Sequence, residues 1–303
     1  MKTKSLLRKL LMIISISTVL LSCENPTAPK EDLGIISEKD SLNIKIQETR
    51  VTKLIYTLPS PIETAMILKK AGASYNEDFL NKIENADRYI NHKLMALNLG
   101  IYCADLSYAS LHEQNQTSIK YMGVSKKLAD RLGIMNAIDK TMVKRLESNV
   151  NNRDSILHII TESFYNTNSY LTDNNRTHIA KMILAGGWIE GVYISSQLAK
   201  TSKNNTEIIN RLVEQKLSLE NLIDMLQTDS KTPTPEMLSL ITEFKELDTL
   251  FDKVKINSTE IESIVNTKNK ITTLAVKSEM KFKKEDFEKI ITKVEKMRAN
   301  IVG

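Results

Sequence analysis

Two carboxylates in this sequence lie in stretches that are otherwise apolar. Asp105 follows an apolar run over residues 99–104, and Glu190 lies within the apolar stretch 183–199. Each acid precedes a tyrosine by three residues, which places both groups on one face of a helix, one turn apart. An unpaired charge in apolar surroundings is costly. We therefore consider two alternatives: the acids accept hydrogen bonds within a packed structure or point to solvent, or they face a polar pocket.

The second alternative predicts a ligand pocket between two central helices. Aromatic side chains near the two acids would form its walls, and a few convergent polar groups would orient the ligand. Such a pocket suits a sugar, a peptide or a small organic molecule. The candidate residues are Tyr102, Asp105, Tyr108, Trp188, Glu190 and Tyr193.

The two stretches around these acids resemble each other at an offset of 85 residues. Leu99, Gly100, Asp105, Tyr108 and Ser110 align with Leu184, Ala185, Glu190, Tyr193 and Ser195. Each stretch also carries small residues, which allow two helix backbones to approach closely. A duplicated helical unit would explain the similarity, and coincidence would explain it equally well.

Catalytic and metal-binding patterns are weak in this sequence. The four histidines are scattered, with no HExxH motif, and there is no Gly-rich phosphate loop and no GxSxG motif. Cys103 lies in an apolar helical run, nine residues from the nearest downstream histidine, so we predict a core residue rather than a nucleophile. We predict no metal and no cofactor, and an enzyme is not the favoured interpretation.

The elements that must position these residues are helices. The chain has only 9 Gly and 6 Pro in 303 residues and shows no sustained alternation of apolar and polar residues. The fold class is therefore all-α, a multi-helix bundle or an irregular α-solenoid-like array. We place a helical core domain at 41–230 and a C-terminal helical hairpin or three-helix subdomain at 231–303.

Two apolar seams in this C-terminal part have heptad spacing. The first consists of Leu240, Phe244, Leu247, Phe251 and Val254, and the second of Phe287, Ile290, Val294, Met297 and Ile301. Each covers only about two heptads, which favours helix packing within the chain over a long coiled coil. The basic residues interleaved with acids over 280–299 are interpreted as a solvated helix face.

The beginning of the chain has the pattern of an export signal. Four basic residues among the first nine precede an apolar run over residues 10–21, which is short for a membrane span, and Leu20-Leu21-Ser22-Cys23 follows. This sequence resembles the lipobox of bacterial lipoproteins. The resemblance implies a cleaved signal peptide at 1–22 and acylation of Cys23, which attaches the protein to membrane lipid.

Removing residues 1–22 changes the charge of the chain. They hold four of the 42 basic residues and no acid, which leaves 38 basic against 37 acidic residues. This balance gives no support to a nucleic-acid partner. Residues 23–40 contain Pro and several charges, a composition typical of a flexible tether.

These features predict a protein that is exported and lipid-anchored in the cell envelope, at the outer membrane, on its periplasmic or surface face. The favoured function is a binding or scaffold module for a protein, peptide or glycan. The alternative is a small-ligand receptor or an enzyme that uses the pocket around Asp105 and Glu190.

Overall fold

The computed structural model describes residues 74–136, 140–149, 151–201, 205–228, 233–266 and 271–303. The predicted signal peptide at 1–22, the lipidation site and the tether at 23–40 lie outside these ranges. The boundary predicted at residue 231 also lies outside them. The compact unit to which all described residues belong spans residues 42–303.

Helices make up most of the described chain. Two short 3₁₀ turns, Glu77–Phe79 and Ile83–Arg88, come first. The α-helices are α1 (His92–Leu111), α2 (Asn115–Arg131), α3 (Lys140–Ser148), α4 (Arg153–Asp173), α5 (Thr177–Thr201), α6 (Thr206–Gln227), α7 (Pro235–Phe251) and α8 (Lys284–Val302). The all-α fold class is confirmed, and the helices form a bundle.

Side-chain caps explain where several of these helices begin. The Asn91 side chain accepts a hydrogen bond from the backbone N–H of Leu94 at the start of α1, and Asn152 does the same at the start of α4. At α7, Thr234 caps the helix and Pro235 occupies its first turn. These residues satisfy backbone N–H groups that have no partner within the helix.

A two-stranded hairpin joins α7 to α8. Strand β1 (Lys255–Asn266) pairs antiparallel with β2 (Ile271–Lys281), and the register shifts between Ser258 and Ile261. The sequence analysis did not predict these strands, because the segment lacks a sustained alternation of apolar and polar residues.

Helices α1 and α5 form the centre of the bundle and pack backbone against backbone. A Cβ atom added to Gly100 would overlap the carbonyl oxygen of Ile183, and one added to Gly186 would overlap the carbonyl oxygen of Leu97. The close approach predicted from the small residues is therefore confirmed. Among the described helices, α1 alone is long and apolar enough to cross a membrane, but 89% of its most apolar window is buried inside the fold.

The two heptad seams are buried, as predicted. Every residue of both seams, from Leu240 to Val254 and from Phe287 to Ile301, belongs to the hydrophobic core. Helix α8 packs on α7 and also contacts α5 and α1. One face of α8 therefore lies against the central helices, which brings its residues close to Glu190.

Candidate functional site

The two predicted acids meet between α1 and α5, where both are completely buried. Asp105 Oδ2 accepts a hydrogen bond from the backbone N–H of Asn81 at 3.1 Å. Its other oxygen has no partner of normal geometry among the described residues. Burial raises the pKa of Asp105 well above its usual value, and the neighbouring carboxylate of Glu190 raises it further, against the opposing effects of Arg298 and the Asn81 N–H. Burial therefore favours the protonated form of Asp105 more strongly than at an exposed aspartate.

Glu190 is held by an arginine from the last helix. Arg298 Nε lies 3.0 Å from Oε2 of Glu190, and Nη2 lies 2.9 Å from Oε1. The same guanidinium donates to the backbone carbonyl of Phe79 and lies over the ring of Tyr193, 4.4 Å from its centroid. This two-pronged contact places a compensating charge beside Glu190 in a buried interface.

The remaining aromatic candidates are dispersed around this centre. The hydroxyl groups of Tyr102 and Tyr108 donate to the backbone carbonyls of Lys82 and Ser74, at 2.8 and 3.1 Å. Trp188 donates to Ser218 on α6 instead, at 2.9 Å. Of the six candidates, the structure brings together Asp105, Glu190 and Tyr193. The other three reinforce neighbouring interfaces.

Residues that the sequence analysis did not select complete the buried network. Asn81 donates to the Tyr89 hydroxyl and to Asn98 Oδ1, at 2.9 and 3.1 Å, and its carbonyl accepts from Tyr121. Arg298 was assigned to a solvated face, yet only 13% of its side chain is exposed. Its position next to Met297, a residue of the buried seam, was the one available signal. The acids and Arg298 thus form a filled polar interface between three helices.

The described residues also form a partly open cavity of about 120 Å³, which is lined by other groups. It lies between α1, α2, α3, α4 and α5, and its walls are almost entirely apolar. The lining includes Leu99, Gly100, Cys103, Leu106, Met122, Ser125, Lys126, Ile134, Val143, Leu146, Ile160, Ile183, Leu184 and Gly187, together with Thr161, Ser163 and Thr167 of α4.

Cys103 is partly exposed, lines this cavity and otherwise packs against the core. Burial raises the pKa of its thiol to about 11, which outweighs the opposite effect of the neighbouring Ser125 hydroxyl. The thiolate is the reactive form, so this environment suppresses reactivity at neutral pH. The prediction of a packed, unreactive thiol agrees with this position.

The two sites described so far are a charge-compensated interface and an apolar cavity. These ranges contain no group of three or more His, Cys, Asp or Glu side chains that could hold a metal ion. Comparison with known proteins gives no relative: no family model, no curated protein and no solved structure matches this chain.

Proposed function

We propose that this chain is a lipid-anchored binding module of the cell envelope, and that its cavity receives an apolar ligand. The anchor is inferred from the resemblance of Leu20-Leu21-Ser22-Cys23 to a lipobox. Two acyl chains hold a protein on a membrane far more firmly than one. An outer-membrane location is part of the same proposal.

The observation that carries the binding role is the cavity between α1, α2 and α4. An apolar cavity with few polar groups is the most common form of a small-ligand site. Its walls are fixed by long helices, and the backbone contact at Gly100 keeps α1 and α5 from closing or opening independently. The cavity is thus a preformed feature of the bundle.

The second candidate, a receptor or enzyme centred on Asp105 and Glu190, has less support. Arg298 occupies the space beside Glu190 that a ligand would need. Removing the arginine would leave a buried charge without compensation. A protein, peptide or glycan partner at the helical surface stays within the favoured proposal, because an anchored module can present a surface as well as a cavity.

Two measurements test the proposal. Cells that produce the wild-type chain or the Cys23→Ala variant are grown with an alkyne-tagged fatty acid and then fractionated. We expect the tag and the membrane association in the wild type alone. A wild-type chain without the tag would contradict the anchor.

The second measurement is binding of benzene to the purified full chain, followed by NMR. We expect saturable binding that the variant Val143→Phe abolishes, because Val143 lines the cavity and a phenyl ring would fill it. Substitution at exposed Lys120 on α2 is the matched control. Absence of benzene binding in the wild type would contradict a cavity that accepts ligands.

A further inference from the structure

We propose that the cavity binds a single-chain anionic amphiphile, such as a fatty-acid carboxylate. Its chain would lie among the apolar residues of α1, α4 and α5, and its head group would contact Ser125 and Lys126 of α2. This inference rests on the proposed function and names the ligand class of the same cavity.

The apolar part of the cavity has room for the end of a hydrocarbon chain. An engineered apolar cavity of about 150 Å³ stays dry and binds benzene or xenon, and this one is of similar size, about 120 Å³. Transfer of methylene groups from water into such a space is favourable. No aromatic ring belongs to the lining described above, so stacking on a sugar or a planar ring is not available.

One polar group in the cavity wall, the Ser125 hydroxyl, has only the weakly hydrogen-bonding thiol of Cys103 beside it. Ser125 is 9% exposed, and its hydroxyl has no hydrogen bond of normal geometry among the described residues. Two other wall hydroxyls are already used, since Thr161 donates to the Leu157 carbonyl and Ser163 to that of Ile159. A buried hydroxyl without a partner is unfavourable. A ligand oxygen at this position would satisfy it.

A cation stands beside this hydroxyl. Lys126 follows Ser125 on α2 and lines the same cavity, while its side chain reaches solvent. It forms no ion pair with a carboxylate in the described part of the chain, in contrast to Lys127, which pairs with Asp87 at 2.6 Å. No acid belongs to the cavity lining described above. The charge therefore favours a carboxylate head, which would accept a charge-assisted hydrogen bond.

The test is a titration of the full-length Cys23→Ala chain with decanoate, followed by calorimetry. We expect one saturable site, with affinity reduced about tenfold or more in Lys126→Gln and in Ser125→Ala. Lys120→Gln, an exposed lysine on the same helix, is the matched control and should bind as the parent does. Decanol and decylamine should bind at least about tenfold more weakly than decanoate.

Two outcomes would overturn the inference. Equal affinity for decanoate and decanol would contradict recognition of an anionic head group. Equal effects of Lys126→Gln and Lys120→Gln on the affinity would contradict it as well. Binding that persists in Val143→Phe would place the ligand elsewhere. A second readout does not depend on the Val143→Phe variant. Decanoate should slow the alkylation of Cys103, which lines the cavity. An unchanged alkylation rate at saturating decanoate would likewise exclude binding in the cavity.

Benzene separates this inference from the function on which it rests. If benzene binds but decanoate does not, the proposed ligand class is wrong, while the proposal that the cavity binds a ligand is supported. If neither binds, the amphiphile and the ligand-binding role of the cavity are both wrong.

Discussion

Arg298 and Glu190 form a two-pronged ion pair between α8 and α5, across 108 positions of the sequence. Glu190 is completely buried, and 13% of the arginine side chain is exposed. The pair joins the last helix to a central one at a point where Phe79 and Tyr193 also contact the guanidinium. The pair therefore stabilises the packing of the C-terminal helix on the core.

Removing one partner of this pair should be strongly destabilising. In Arg298→Met the carboxylate of Glu190 stays buried without its compensating charge, which typically costs about 3–5 kcal/mol. We expect a loss of that order in the free energy of unfolding, measured by urea denaturation. The double variant Glu190→Leu/Arg298→Met should recover most of the loss, because both charges are then absent. A double variant no more stable than Arg298→Met would contradict a pairwise electrostatic origin.

The raised pKa of Asp105 makes the stability of the fold depend on pH. Because its pKa is raised in the folded state, the folded chain holds this proton more tightly than the unfolded chain. The contribution is complete below the usual pKa of 3.8 and is lost as the pH rises through the folded-state value, with a slope of up to about 1.4 kcal/mol per pH unit.

Asp105→Asn tests this dependence directly. The amide can still accept from the Asn81 N–H and can donate toward Glu190, but it does not titrate. We expect the free energy of unfolding of the variant, relative to wild type, to rise as the pH increases above the usual aspartate pKa of 3.8. Asp130→Asn at an exposed position is the control. Parallel profiles for wild type and Asp105→Asn would show that Asp105 is ionised in the fold.

The glycine contact between α1 and α5 predicts opposite effects for similar substitutions. Gly100→Ala and Gly186→Ala would force backbone atoms apart, so we expect losses of about 1–3 kcal/mol or more in the free energy of unfolding. Gly123→Ala on α2 meets no atom within 4 Å and should instead stabilise the helix by about 0.5–1 kcal/mol. Thermal unfolding followed by circular dichroism distinguishes the two signs. Equal effects at all three sites would contradict the close approach.

Cys103 should react slowly with iodoacetamide. A pKa raised from 9.0 to about 11 lowers the thiolate fraction at neutral pH by about 100-fold. We expect the alkylation rate at pH 7.5 to lie far below that of a free thiol and to rise with pH up to about 11. Urea-unfolded protein, in which the thiol is solvated, provides the reference. Equal rates in folded and unfolded protein would show that the thiol is solvated in the fold.

The local features of the fold follow from the sequence. Helix periodicity and caps such as Asn152 involve residues within a few positions of each other, so they determine where helices form. The glycines at 100 and 186 indicate close helix packing, because small residues allow two helix backbones to approach closely. The unusual status of Asp105 and Glu190 is also visible locally, because each acid interrupts an apolar helix. The hairpin between α7 and α8 was missed because its strands lack a clear alternating pattern.

The partners of these residues depend on the tertiary structure. The sequence around Glu190 does not indicate that Arg298, on another helix, compensates its charge. Only the packing of the helices brings α5 and α8 together. The cavity likewise forms where five helices pack together without filling the space between them, and no single segment of the sequence predicts it. The sequence determined helices, two acids within apolar stretches and a lipobox-like start. Only the packing of the helices decided that the acids are buried in an interface and that an apolar cavity lies beside Ser125 and Lys126.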